Sequence, residues 1–275
     1  MFGYRLYKGA WIWELGPHLE NKISDYQIKT LLNKGGLLVR NTYNFDCQRE
    51  TGFWFVIKDS FNGFQDVPSK YRSRIKKALD AFYIQQVPQE YLLKNGYDLY
   101  IKTVKSYRIR TKPLTHKEFE DLFFKKNYNF DYWVCIHKDT ARLAAFSINQ
   151  LIDNTACYLI MKFLPDFNAK LHPSYGLIYE MNRYYLDEKK MLFVSDGTRS
   201  LTNHSEFQPF LIKKFKFRKA YCDLHVVYQS WLGLTVKLLF PFRRYIKGHS
   251  IAAILRQEEW ARQIDRQSLL RDGNN

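Results

Sequence analysis

Cysteine, glycine, proline and acidic side chains are all scarce in this 275-residue chain, and each shortage removes a class of protein. The four cysteines, Cys47, Cys135, Cys157 and Cys222, stand singly on hydrophobic stretches with no Cys-x-x-Cys spacing, which argues against a zinc site or a disulfide framework and leaves buried thiols. Thirteen glycines and eight prolines exclude a collagen-like chain. No run approaches the ~18 apolar residues of a membrane span, and the opening Met-Phe-Gly-Tyr-Arg-Leu-Tyr-Lys lacks the apolar core of a signal peptide. The expected location is therefore the cytoplasm, with a peripheral position at the inner membrane surface as the one membrane option. No grouping of His, Cys, Asp and Glu has metal-ligand spacing, so no metal is expected.

Acidic residues number 27 against 43 Lys plus Arg, a formal charge of +16, which predicts attraction to an anion: nucleic acid, acidic lipid or a phosphate-bearing co-substrate. Half of that excess lies between Leu211 and Lys247, where nine cations face the single anion Asp223. A basic surface that only keeps the chain soluble is the plainer alternative. What is abundant is apolar and aromatic: 46% hydrophobic residues, with 20 Tyr and 21 Phe, enough for a sizeable core and more typical of broad sheets than of a helical bundle.

The first 35 residues show little period beyond a short helix around Ile28 to Leu32. Leu37–Asp46 and Gly52–Lys58 are β-rich and read as a hairpin. Ser69–Phe82 reads as a basic helix, with Ile75, Leu79 and Phe82 recurring at helical spacing among Arg72, Arg74, Lys76 and Lys77. A strand Tyr83–Val87 follows, then a helix from Pro88 that Gly96 is expected to stop before a second amphipathic stretch, Tyr97–Tyr107. Thr115-His-Lys-Glu118 matches the capping box and starts another helix.

Three strands, Asp131–His137, Arg142–Leu151 and Ala156–Phe163, then form an antiparallel meander. They are followed by a helix over about Tyr175–Glu188, a strand Met191–Ser195, a helix Ser205–Lys214 and a strand Ala220–Tyr228. Ser230–Gln267 reads as mostly helical. Such an order places a strand-to-helix switch point where helix amides can hold an anion. The reading is an α+β fold with a mixed, mostly antiparallel sheet flanked by helices. It divides into an N-terminal α/β region (1–110), a core (111–229) and a basic amphipathic helical extension (230–275).

The order of elements and the phrase Asp196-Gly-Thr-Arg-Ser…Phe210-Leu-Ile-Lys-Lys-Phe-Lys-Phe-Arg218 resemble the GNAT acyltransferase superfamily, in particular its FemAB-like branch. Lys216 stands where glycine is usual in that superfamily. Arg72-Ser-Arg-Ile-Lys-Lys-Ala78 resembles the basic helix that FemAB-like proteins carry in their first half, and the match runs from about Gly52 to Tyr228. Departures are specific. Lys170-Leu-His-Pro-Ser-Tyr-Gly176 holds one late glycine where acyl-CoA users carry several, and the usual general-acid tyrosine aligns near Ile212.

The resemblance implies acyl transfer to an amine, which needs a base, a stabilised oxyanion and two positioned substrates. His204 and Glu206 are the expected base pair, with Asp196 orienting the acceptor. The amides of Ser174, Tyr175, Gly176 and Leu177, with Lys170 beside them, are the expected donor-phosphate site. Arg199, His172 and Glu180 are the expected substrate contacts. Each of these positions also has a plain structural reading as a helix cap, a surface ion pair or a loop residue.

Taken together, the sequence predicts a transferase without a tightly bound cofactor. It would use acyl-CoA or aminoacyl-tRNA as co-substrate and modify an amine such as an amino-sugar or a cell-envelope precursor. The competing expectation is a noncatalytic module of the same fold that docks on acidic membrane or RNA through its basic C-terminal third. Trp231, Leu234, Leu238 and Trp260 are candidates for an oligomer interface.

Overall fold

In the computed structural model the chain is described except at residues 20–21, 108–111, 122, 124–127, 202–205, 247 and 273–275; for 249 and 264–272 only the backbone is described. It resolves into two compact units. One gathers Met1–Val56, Thr198–Ser205 and Lys219–Asn275; the other holds Ile57–Gly197 and Glu206–Arg218. The expected boundaries fall at 110 and 229; in these compact units the last strand returns to pair with the third and ties both chain ends together.

In the first unit, β1 (Tyr4–Tyr7) and β2 (Ala10–Trp13) form an antiparallel hairpin that the sequence reading did not anticipate. Its turn is carried by Lys8 and Gly9, at φ +48° and +81°, backbone that glycine adopts freely. Helix α1 (Asp25–Asn33) opens on a capping box between Ser24 and Gln27, and its Ile28, Leu31 and Leu32 bury against Tyr4 and Val39. That helix is the crossover that lets β3 (Leu38–Tyr43) run parallel to β2.

β3 and β4 (Phe53–Lys58) are not the predicted hairpin. Strand β10 (Arg218–Tyr228) lies between them and pairs antiparallel with β3 from Asp223↔Tyr43 to Tyr228↔Leu38, giving the order β1-β2-β3-β10-β4. Phe53, Cys222, Leu224 and Trp260 form the core there, Trp260 from the long helix α9 (His249–Asp272). Trp260 is therefore a core residue and does not belong to an outer face. Helix α8 (Ser230–Leu239) and a short 3-10 turn, Phe240–Phe242, precede α9.

The second unit matches its sequence closely. Helix α2 (Ser69–Ala81), β5 (Phe82–Val87), α3 (Gln89–Lys105) and α4 (His116–Asp121) lead into β6 (Asn129–His137), β7 (Leu143–Ile152) and β8 (Thr155–Phe163). Gly96 does not end α3. It is buried with Phe119 pressed against it, where an added Cβ would come within 3.2 Å of Phe119 Cζ. The Thr115–Glu118 capping box forms as read, with the Thr115 amide donating to Glu118 Oε2 at 2.7 Å and the Glu118 amide to Thr115 Oγ1 at 3.2 Å.

After β8 come α5 (Pro165–Lys170), α6 (Pro173–Asn182), a π-helical turn Arg183–Glu188, β9 (Phe193–Thr198) and α7 (Phe207–Phe215). The strand order here is β9-β8-β7-β6-β5, antiparallel throughout except for β8 and β9. The α5–α6 crossover makes that one pair parallel. Leu92, Leu99, Phe119, Val134, Phe146 and Ile148 fill one face of this sheet. α6 packs on β5, β6 and β7 from the other side, with α2 against it.

Candidate active site

β8 and β9 pair only where they begin. Thr155, Ala156 and Cys157 lie opposite Phe193, Val194 and Ser195, and beyond that point no register pairs join them, although β8 stays paired to β7 as far as Phe163. The strands part at Tyr158 and Asp196. Parallel strands that part in this way mark the usual ligand position of such a sheet.

Polar side chains collect at the parting. The buried Tyr158 hydroxyl donates to Asn182 Oδ1 at 2.8 Å. Half-buried Asp196 has its carboxyl pushed up to about 7 by burial, with a hydrogen bond from buried Gln208 acting in the opposite direction. The Tyr158 hydroxyl is pushed upward by burial and by the neighbouring Tyr185 and Asp196, so it stays protonated. Gly197, at φ +78°, has open space where a Cβ would stand, and its amide donates to Ser195 Oγ at 2.9 Å. Asp196 thus combines burial at the strand parting with a proton affinity shifted toward neutral pH.

α7 spans the opening. Phe207 lies 6.4 Å from Phe163 at the end of β8, Gln208 reaches Asp196, and Phe210 meets Tyr175 edge-on at 5.2 Å. Lys216, just after α7, takes the left-handed conformation (φ +56°) that accounts for glycine being usual at this place, and its Nζ lies 3.7 Å from Asp66 Oδ1.

The start of α6 is closed, contrary to the expected phosphate cradle. The Ser174 amide donates to Asn168 Oδ1 at 3.3 Å, and the Tyr175 and Gly176 amides both point to the His172 carbonyl, at 2.9 and 3.5 Å. A Cβ on Gly176 would lie 2.7 Å from Ile84 Cδ1 and 2.8 Å from Ala78 Cβ, and Leu177 is fully buried. These backbone groups serve helix packing. Lys170 is exposed at the end of α5.

What surrounds this helix start is a set of cations on aromatic rings. Arg74 of α2 donates to the Tyr175 hydroxyl at 3.0 Å and lies 5.4 Å from both the Tyr71 and the Tyr175 ring centres. Lys70 stands 5.3 Å and Lys214 of α7 3.6 Å from the Tyr71 ring, and Lys214 also donates to the Tyr71 hydroxyl, which lowers its pKa. None of Lys70, Arg74 and Lys214 forms an ion pair with a carboxylate among the described residues. His172 packs edge-on against Tyr175 at 5.8 Å; burial, then Arg74 and Lys77, holds it below the usual imidazole range.

The other predicted site residues lie elsewhere. Arg199, in the first unit, lies 4.1 Å from the Trp260 ring centre and donates to the Gly52 carbonyl at 2.6 Å, so it holds aromatic packing together rather than clamping a phosphate. Glu180 binds Arg183 through two hydrogen bonds, at 3.0 and 2.7 Å, and is an ion-pair partner. Glu206 is exposed at the entry to α7 and makes no side-chain capping bond. His204 falls outside the described residues.

Sequence reasoning missed Tyr158, Asn182, Gln208, Tyr71 and Arg74 as site residues. Only the basic run 72–77 carried a signal, since Tyr158 reads as ordinary strand and Asn182 and Gln208 as ordinary helix. A second polar cluster was equally silent. The π-helical turn holds Tyr185 so that its hydroxyl donates to Asp131 Oδ2 at 2.9 Å and accepts from Trp133 Nε1 and Asn149 Nδ2, at 2.9 and 3.1 Å.

A mixed sheet whose two parallel strands separate midway, flanked by helices on both faces, is the GNAT-like α+β fold. No protein-family model matches this sequence, and no curated protein does. Solved structures do. The C-terminal DUF2156 domain of an Agrobacterium fabrum protein superposes with a TM-score of 0.53 at 11% identity, covering 86% of this chain and 84% of that one. L-PGS from Bacillus licheniformis gives 0.52 at 12% identity over 87% and 84%. FemX gives 0.52 at 10% identity over 77% and 69%. At these identities the likeness is one of fold.

Proposed function

We propose that the chain is a transferase that moves an acyl or aminoacyl group from a polyanionic carrier to an amine, at the parting of β8 and β9. The observation that carries this reading is Asp196, a carboxyl at the edge of the parting whose proton affinity lies near neutral pH. The neutral amine nitrogen bonds to the carbonyl carbon; Asp196, as carboxylate, takes the proton that the now cationic nitrogen sheds and passes it to the carrier's oxygen or sulfur as the bond from that atom to the carbonyl carbon breaks. Tyr158 and Asn182 keep a protonated hydroxyl beside the reacting centre.

Aminoacyl-tRNA is the carrier that the geometry favours over acyl-CoA. The sealed amides of α6 offer nothing to a pyrophosphate, whereas Lys70, Arg74 and Lys214 around the partly exposed Tyr71 ring suit a phosphodiester backbone. The Agrobacterium fabrum domain that this chain resembles is named as the C-terminal domain of a lysylphosphatidylglycerol synthetase, and both it and L-PGS are covered over 84% of their length, which supports an aminoacyl carrier. A cell-envelope amine, an amino-sugar among them, is the acceptor class we infer. The test supplies the chain with radiolabelled aminoacyl-tRNAs or acyl-CoAs and a panel of amine acceptors. Amide product that disappears in Asp196→Asn supports the reading; no transfer from any carrier rejects it.

A further inference from the structure

The first unit ends in helices whose outward face is apolar where a helix on a water-facing surface is polar. α8 turns Leu232 and Val236 into a buried cluster with Phe240 and Leu255. On its other side Trp231, Leu234 and Leu238 follow one another at helical spacing, 61%, 61% and 64% exposed. Phe242 and Tyr245 continue the exposed aromatic surface just beyond the helix, at 60% and 81%. Single exposed apolar side chains are ordinary, but a stripe of large ones along one helix marks a docking surface.

Charge identifies the occupant. From Leu224 to Gln257 the sequence holds no Asp or Glu and five cations, Lys237, Arg243, Arg244, Lys247 and Arg256. Lys237 and Arg244 stand exposed among the apolar side chains, while Arg243 is engaged internally, paired with Glu259 at 2.9 Å over the Phe240 ring. A second copy of the chain on this face would bring like charges together across a two-fold axis. No helix among the described residues is long and apolar enough to cross a membrane. Trp, Tyr, Phe and Leu flanked by Lys and Arg is the composition of a helix lying in the headgroup plane of an acidic bilayer.

We propose that this face docks on an anionic lipid surface, with Trp231, Leu234, Leu238 and Phe242 at the acyl boundary and Lys237 and Arg244 at the headgroup phosphates. The docking rests on this face alone and stands apart from the acyl-transfer reading. The full chain is sedimented with vesicles of phosphatidylcholine and with vesicles in which one-third of the lipid is phosphatidylglycerol, at low and high salt. Binding is expected only to the acidic vesicles, weakening as salt rises. Lys237→Ala with Arg244→Ala weakens it at least about tenfold, and Leu234→Ser with Leu238→Ser releases the protein. All four positions are exposed, so both variants keep the parent's thermal midpoint. Equal sedimentation of parent and variants overturns the proposal, as does no binding to either vesicle. A lipid-free dimer that Leu234→Ser with Leu238→Ser abolishes assigns the face to a second copy and rejects the membrane.

Discussion

The Lys58 ammonium lies 2.8 Å from Asp66 Oδ2, with both side chains almost wholly withdrawn from water. Asp66 also accepts from the Asn62 amide at 2.9 Å. Breaking such a pair from one side leaves the buried carboxylate only the exposed Lys216, 3.7 Å from Oδ1, so Lys58→Met should destabilise the fold by about 3 kcal/mol, whereas Lys58→Met with Asp66→Leu should cost far less. Chemical denaturation of the three proteins measures this. Burial pushes the Asp66 carboxyl up, but the Lys58 and Asn62 hydrogen bonds and the Lys58 charge outweigh it and hold it below the usual carboxylate range. The stability it contributes is present above that range and is lost as pH falls below about 4, and the double variant should lose this acid sensitivity.

Asp196 carries the opposite sign. Its carboxyl, pushed up to about 7, holds a proton in the folded chain that the unfolded chain releases near pH 4. Stability should therefore fall as pH climbs from about 4 to about 7. Asp196→Asn should flatten that slope and gain on the order of 1–3 kcal/mol at pH 8, read from thermal melts across pH. Transferase activity should run the other way, rising through about pH 7 as the carboxylate forms. A pH–rate profile centred elsewhere would remove Asp196 from the role of base.

Gly176 leaves no room for a methyl group between α6 and α2, since Ala78 Cβ and Ile84 Cδ1 would both lie within 3 Å of it. Gly176→Ala should cost about 1–3 kcal/mol, and Ile84→Val should restore only part because the Ala78 contact remains. Loss of secondary structure on heating, compared among parent, single and double variants, decides the point.

Arg74 and Lys214 should set the salt dependence of carrier binding. Alanine at both positions should weaken tRNA association about tenfold or more at low salt and reduce the slope of log affinity against log salt by about two. Filter binding over a salt series gives both quantities. An unchanged slope would show that neither cation meets a phosphate.

Where local chemistry and core pattern agreed, the sequence was legible. α2 begins at Ser69 as read, the Thr115 capping box forms, and the three-strand meander lies within two residues of its expected bounds. The first hairpin escaped because its strands are four residues long and its turn signal, Lys8-Gly9, stood without an alternating pattern. The insertion of β10 between β3 and β4 escaped for a different reason: pairing between positions so far apart leaves no local mark. Within the candidate site, Asp196 stands out in the sequence only by its place at a strand end. The closure of α6 was not, because it depends on Ala78 and Ile84 being brought to Gly176 by tertiary packing.

The bond between Asn44 Nδ2 and Asp223 Oδ2 joins residues 179 positions apart, and this has a bearing on how the chain is made. On the ribosome, Met1–Val56 emerges long before the strand that completes its sheet, so β3 waits with one edge unsatisfied through most of translation. The segment Ile57–Gly197, by contrast, carries its own strand partners in order and can collapse while the nascent polypeptide is still tethered. Truncation near the C-terminus should therefore send the beginning of the chain to chaperones or proteases first.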